Sequence, residues 1–291
     1  MPDLHRDFIS VKPPLPKTKK EAPLPALLER AKEGDMKGVV GLLEELGGGA
    51  IDVVDRHGSN ALSYAAGYGD EQQNGVEMVV LLLRHGFPVD GKDRAVRQTE
   101  LDPVDEKSIG SVQRTPLMWA CRNGKLRIAR LLVRFGADCR RRTSDGTTCL
   151  HWAFWQRQIQ TCRYLLGVVS WCSPRINETN SFDCSAVHFI GLNGSVACMK
   201  LFIAEGGNVY KKNKQGHTVV HKASWRGRVE LLQWLRTGTS PERFDRELDE
   251  LDSNGYRPID VCRLGGAANA ALLEWLEGLI VTKRVNKHLI I

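Results

Sequence analysis

Several things are missing from this chain of 291 residues, and each absence removes a class of function. No apolar run approaches the ~18 residues that a membrane helix needs. Val79-Val-Leu-Leu-Leu83 is too short, so no membrane partner is expected. The N-terminus has no long apolar core, which argues against a secretory leader. Asp3, Asp7 and Glu21, with few arginines nearby, argue against a mitochondrial presequence. The eight cysteines show no paired spacing. Cys121, Cys149, Cys162 and Cys262 fall at apolar helix positions, so they are expected to be reduced, buried and intracellular. The expected compartment is the cytoplasm, with organelle and nucleus left open.

Catalytic signatures are missing as well. The chain has no Walker-type phosphate loop, no His-Glu-x-x-His, no Gly-x-Ser-x-Gly and no dinucleotide fingerprint. Gly265-Gly266 precedes a helical stretch without a strand before it, so no phosphate cradle is expected. No enzyme, cofactor or small-molecule substrate is therefore expected.

What is present is a repeat. From Arg114 to Asp138 the chain reads as helix, tight turn, helix and glycine stop. Thr115 is a good N-cap, and Pro116 fits the first helical position, where its missing N–H would be unpaired anyway. Leu117, Ala120 and Cys121 share one face, and Asn123-Gly124 breaks the helix into a turn. Leu126, Ile128, Ala129, Leu131, Leu132 and Phe135 mark the apolar face of a second helix, and Gly136 sits where a left-handed end is needed. Neither helix reaches the ~12–15 residues at which an isolated helix becomes marginal in water. Stacking must stabilise them.

The alanine of the first helix serves as a ruler. It falls at Ala65, Ala120, Ala153 and Ala223, with Ile190 and Cys262 in the same slot, in steps of 55, 33, 37, 33 and 39 residues. A recurring step near 33 residues indicates stacked repeats. Asp145-Gly-Thr-Thr-Cys-Leu-His-Trp-Ala153 and Gln215-Gly-His-Thr-Val-Val-His-Lys-Ala223 are the best-preserved openings. Asp55 to Ala66 is good too, whereas Phe182 to Ile190 keeps only His188 and the apolar positions, and Asn254 to Cys262 loses the histidine. Leu27 to Leu43 reads as an opening half-repeat with a polar outer face. These motifs resemble the ankyrin-repeat family. The resemblance implies an all-α solenoid of about seven helix–turn–helix units with short finger loops. It also implies that His151, His188 and His221 order loops and bind no metal, although Cys184/His188 and His217/His221 are each four residues apart.

The domain reading follows. Residues 1–22 form an extended Pro/Lys-rich arm, 23–278 the repeat domain with an insertion near 90–113, and 279–291 a basic and apolar tail. The insertion shows no clean apolar period.

Charge and aromatics mark the candidate binding residues. From Arg114 to Arg142 nine cations face Asp138 alone, in a chain whose formal net charge is +7. Arg140, Arg141 and Arg142 form a basic finger, and Lys211, Lys212 and Lys214 a second one two repeats on. Acid gathers instead between Thr239 and Ser253. Two residues beyond the ruler lie Arg122, Trp155, Leu192 and Trp225, and on the same helix face are Trp119 and Trp152. The resemblance implies that the later slot lines a concave surface, where exposed tryptophan is a typical hot-spot residue. The expected function is non-enzymatic binding, as a scaffold or adaptor for a protein partner. The alternative is a peripheral subunit of a ribonucleoprotein, such as an organellar ribosome, touching RNA through the basic third repeat and fingers.

Overall fold

The computed structural model describes residues 25–91 except 56 and 73, 114–167, and 175–288. The N-terminal arm and all of the insertion beyond Gly91 lie outside the described residues. Among the described residues there are fifteen α-helices and no strand, the only extended pairing being a bridge between Val54 and Asn60. They fall into two compact units that divide between Arg175 and Ile176.

The first unit holds four helix pairs. These are α1 (Ala26–Glu33) with α2 (Met36–Leu46), α3 (Ala61–Tyr68) with α4 (Gly75–Arg84), α5 (Pro116–Arg122) with α6 (Leu126–Arg134), and α7 (Cys149–Trp155) with α8 (Ile159–Gly167). The first helices pack side by side in the order α1, α3, α5, α7. The second unit holds α9 (Ala186–Asn193) with α10 (Val196–Ala204), α11 (Val219–Trp225) with α12 (Val229–Gly238), the extra short helix α13 (Pro241–Glu247), and α14 (Pro258–Leu264) with α15 (Ala270–His288). Here α9, α11 and α14 stack in turn. The described residues thus hold seven helix pairs, and the opening segment supplies a complete pair where the sequence suggested half of one. The last helix runs through residue 278 without a break.

The ruler positions explain the stacking. Ala65, Ala120, Ala153, Ile190, Ala223 and Cys262 are all fully buried. A small side chain there lets successive first helices approach closely. At Gly191, a Cβ would lie 3.0 Å from the Val219 carbonyl oxygen, so α9 and α11 meet nearly backbone to backbone. The second helices present their predicted faces, with Ile128, Ala129 and Leu132 buried in α6. Phe135 departs from that expectation. It forms the C-cap of α6 and is 48% exposed. The seven cysteines among the described residues are reduced and buried.

Helix starts are fixed as the residues dictate. Asp35, Asn60, Thr115, Ser195 and Ser240 each accept a hydrogen bond from the backbone N–H three residues on. In three repeats histidine completes a reciprocal cap. The backbone N–H groups of Thr148, Ser185 and Thr218 donate to Nδ1 of His151, His188 and His221 at 3.2, 3.1 and 3.3 Å.

The finger turns repeat just as regularly. Oδ1 of Asp55, Asn180, Asn213 and Asp252 each takes two backbone N–H groups, two and four residues ahead. Three residues after each of these comes the left-handed position, occupied by Gly58, Gly216 and Gly255 but by Asp183 in the fifth repeat.

Candidate functional site

The first-helix face of the first unit carries a ladder of rings and cations. Tyr64 and Tyr68 stack at 5.8 Å between centroids, and Tyr68 meets Trp119 at 5.9 Å. Trp152 meets Trp155 at 6.3 Å. Lys32 from α1 lies 5.3 Å over Tyr68. Between the two halves sit two guanidinium groups. Arg114 lies 4.9 Å from the Trp119 ring and 4.3 Å from Trp152, while Arg122 lies 5.4 and 5.8 Å from the same two rings. Such cation–ring contacts contribute ~0.5–2 kcal/mol each, more as water is excluded.

The sequence builds this arrangement locally. Arg114 precedes the N-cap Thr115, and Arg122 is the last residue of α5, so the two bracket Trp119 from opposite ends of one short helix. Gly67 opposite lets the ring close on α3. A Cβ on Gly67 would stand 3.2 Å from the Trp119 Cβ. The amide of Asn123 donates to the Gly67 carbonyl at 2.8 Å and holds α5 at that depth. Burial, and then the charge of Arg122, pull the Arg114 pKa down to about 10, which still leaves it charged at neutral pH.

The predicted residues therefore differ in accessibility. Trp119, Arg122 and Trp155 are half-buried, as is Trp225 in the second unit. Trp152 is only 4% exposed, because two guanidiniums cover its ring, and Leu192 is 9% exposed. Leu192 is therefore not the open groove residue that its slot suggested. Leu192 lies in a tight stretch, where Arg228 donates to its carbonyl at 2.9 Å. Tyr68 and Arg114 were not among the predicted residues. Tyr68 was one turn from Tyr64 and hence on the same face. Arg114 lies outside the helical period, so only its charge was visible.

The fingers belong to different units and are partly neutralised. Arg140 lies 3.5 Å from Asp138 and Arg141 3.9 Å from Asp90, while the Arg142 guanidinium donates to the Gly146 carbonyl. Lys212 pairs with Glu250 at 2.6 Å, so the acidic segment after α12 faces the second finger. Lys211 is half-buried and Lys214 exposed. The basic second helix of the third repeat is also engaged. Arg127 donates to the Glu71 carbonyl at 2.7 Å, and Arg130 lies 5.4 Å over Tyr164.

Among the described residues no cluster of three or more His, Cys, Asp or Glu is arranged to hold a metal ion, and no helix is long and apolar enough to cross a membrane. His188 and His221 use both ring nitrogens. His188 Nε2 hydrogen-bonds the His217 carbonyl at 3.2 Å, and His221 Nε2 hydrogen-bonds that of Tyr256 at 3.3 Å, while each Nδ1 caps its helix.

Comparison with known proteins agrees with this architecture. A family model for ankyrin repeats in three copies matches residues 73–171, and one for ankyrin repeats in many copies matches residues 186–236. The chain is 27% identical over 130 residues to the human transient receptor potential cation channel subfamily A member 1, covering 45% of this chain and 11% of that protein. It is 25% identical over 150 residues to the target of rapamycin complex 2 subunit AVO2 of Saccharomyces cerevisiae, covering 50% of this chain and 34% of that protein. The chain therefore spans about a tenth and a third of these two relatives. Helix pairs stacked within each unit, buried ruler positions and the two matches agree: the chain belongs to the ankyrin-repeat family.

Proposed function

We propose that this protein is a non-catalytic binding module, a scaffold or adaptor, and that the first-helix face of its first unit takes a protein partner. The observation that carries this reading is the ladder from Tyr68 through Trp119 to Trp155. Rings and arginines are the residue types that dominate protein interfaces. Ankyrin repeats typically serve as protein-binding modules. Trp225 and the Lys211 to Lys214 finger form a second candidate surface on the second unit.

The ion pairs of the fingers favour protein over RNA. A first finger facing Asp138 and Asp90, and a second facing Glu250, offer fewer free charges to a phosphate backbone. The test is affinity capture from the source cell with the wild-type protein and with Trp155→Ala and Trp225→Ala. A protein that stays bound after nuclease treatment and is lost from the variants, with melting temperature little changed, supports the reading. Release by nuclease, or a capture indifferent to both substitutions, overturns it.

A further inference from the structure

We propose that Arg114 and Arg122, framed by Trp119 and Trp152, form a clamp for a carboxylate in an acidic, otherwise apolar segment of a partner protein. This rests on the protein-binding reading of the same face and specifies the group it recognises.

The first argument is weakly matched charge: Asp145 acts on Arg114 only from beyond ion-pair distance. Two guanidiniums share the same two rings, each within 6 Å of both. Like charges at such range repel, and partial burial strengthens the repulsion. Several other arginines meet carboxylates, as in Arg236 with Asp245, Arg243 with Glu247 and Arg257 with Asp260. Among the described residues neither Arg114 nor Arg122 has an ion pair or hydrogen bond. Their stabilising contacts are ring faces, which leave the in-plane N–H edges unused.

The second argument is independent of charge. Four buried nitrogens in this cluster lack a hydrogen-bond partner, namely Nε of Arg114 and Arg122 and Nε1 of Trp119 and Trp152. All four are donors. Buried polar groups are ordinarily paired, so donors concentrated at one place call for a ligand that only accepts. An ionised carboxylate accepts at both oxygens and carries no donor. A planar carboxylate also matches the guanidinium fork in shape. A small rotation of the rings would open the tryptophan N–H groups to the same ligand.

The third argument fixes the class of partner. The clamp is flanked by apolar surface, with Tyr68 on one side, 43% exposed, and half-buried Trp155 on the other. Lys32 adds a cation over Tyr68, beyond the clamp itself. A single strong anion site between two aromatic platforms fits an acidic side chain with apolar neighbours. It does not fit the evenly spaced charges of a nucleic-acid strand.

The experiment uses the full chain and pools of short, end-blocked peptides with mixed apolar flanks. One pool carries Glu at its centre, one Gln, and one phosphoserine; poly(U) is a competitor. Binding is read by tryptophan fluorescence and by peptide retention. Charge-assisted hydrogen bonds contribute enough that the Glu pool is expected to bind about tenfold tighter than the Gln pool. Arg114→Gln and Arg122→Gln should each bring that ratio close to unity while far-UV circular dichroism is unchanged. The Glu-to-Gln ratio on wild-type protein needs no variant, so a misfolded substitution cannot mask the answer. Equal binding of the two pools, with both lost on Trp119→Ala, overturns the carboxylate clamp and leaves the protein-binding reading standing. A preference for phosphoserine, displacement by poly(U), or no binding of any pool also overturns the clamp. The capture experiment then judges the broader reading separately.

Discussion

His217 Nε2 lies 3.2 Å from Oδ2 of Asp252, and both side chains are fully buried. The other oxygen of the same carboxylate takes the backbone N–H groups of Asn254 and Tyr256. One buried acid thus shapes its own finger turn and fastens it to the preceding one. The backbones join alongside, with Ser253 N–H donating to the Gln215 carbonyl at 2.9 Å.

Removing this link should be costly. Asp252→Ala leaves the buried His217 ring and two part-buried backbone N–H groups short of an acceptor, and about 2–4 kcal/mol of stability should be lost. A double-mutant cycle with His217→Ala, followed by denaturant unfolding, should give a coupling of about 1–3 kcal/mol. Strict additivity would show that the two side chains do not interact.

Stability should fall in mild acid. Burial first, and then the nearby Lys222, hold the His217 imidazole neutral, against the opposing pull of Asp252. Burial also pushes the His221 pKa down to about 4. Both folded values lie below the ordinary 6.5. The unfolded chain therefore binds protons that the folded chain does not. Stability from these groups is complete above the unfolded value and declines as pH falls below it, by about 1.4 kcal/mol per pH unit for each histidine. Melting temperature measured from pH 7.5 downward should drop more steeply for wild type than for His221→Gln. Parallel curves would refute the assignment.

Two turns carry a side chain where other repeats use glycine. Arg157 has φ 60° at the helix–helix turn where other repeats have Gly124, Gly194 and Gly227, and Asp183 has φ 55° at the finger position of Gly58, Gly216 and Gly255. Left-handed backbone costs an L-residue ~1–2 kcal/mol. Arg157→Gly and Asp183→Gly should each raise stability, by up to about 1 kcal/mol after the loss of chain entropy. Gly216→Ala should do the reverse, since its φ is 73° and its Cβ would stand 3.2 Å from the Asp252 Cα. Calorimetric melting of the three variants checks the signs.

Metal removal should change nothing. Both nitrogens of His188 and of His221 are already engaged. Chelator should leave the melting temperature where it was, and elemental analysis should find no stoichiometric zinc. Bound zinc lost on His188→Ala would assign these rings to a metal.

The repeat was legible in the residues alone. The ruler at Ala65, Ala120, Ala153, Ile190, Ala223 and Cys262 marks helix faces, and every one of these side chains is buried. N-caps such as Thr115 and turn glycines such as Gly124 were equally legible. These features depend on backbone geometry within a few residues, which period and residue type report directly.

What the candidate residues touch emerges from the packing of the repeats. Arg114 sits outside the helical period, yet its guanidinium reaches rings on two helices. Trp152 and Trp155 are three residues apart on α7, but the first is covered by two arginines and the second is half-exposed. Lys212 reads as a free finger charge until Glu250, beyond the extra helix α13, is brought against it. Such contacts join residues tens of positions apart. They depend on long side chains crossing between neighbouring repeats and on irregular connections, and a local period carries no record of either.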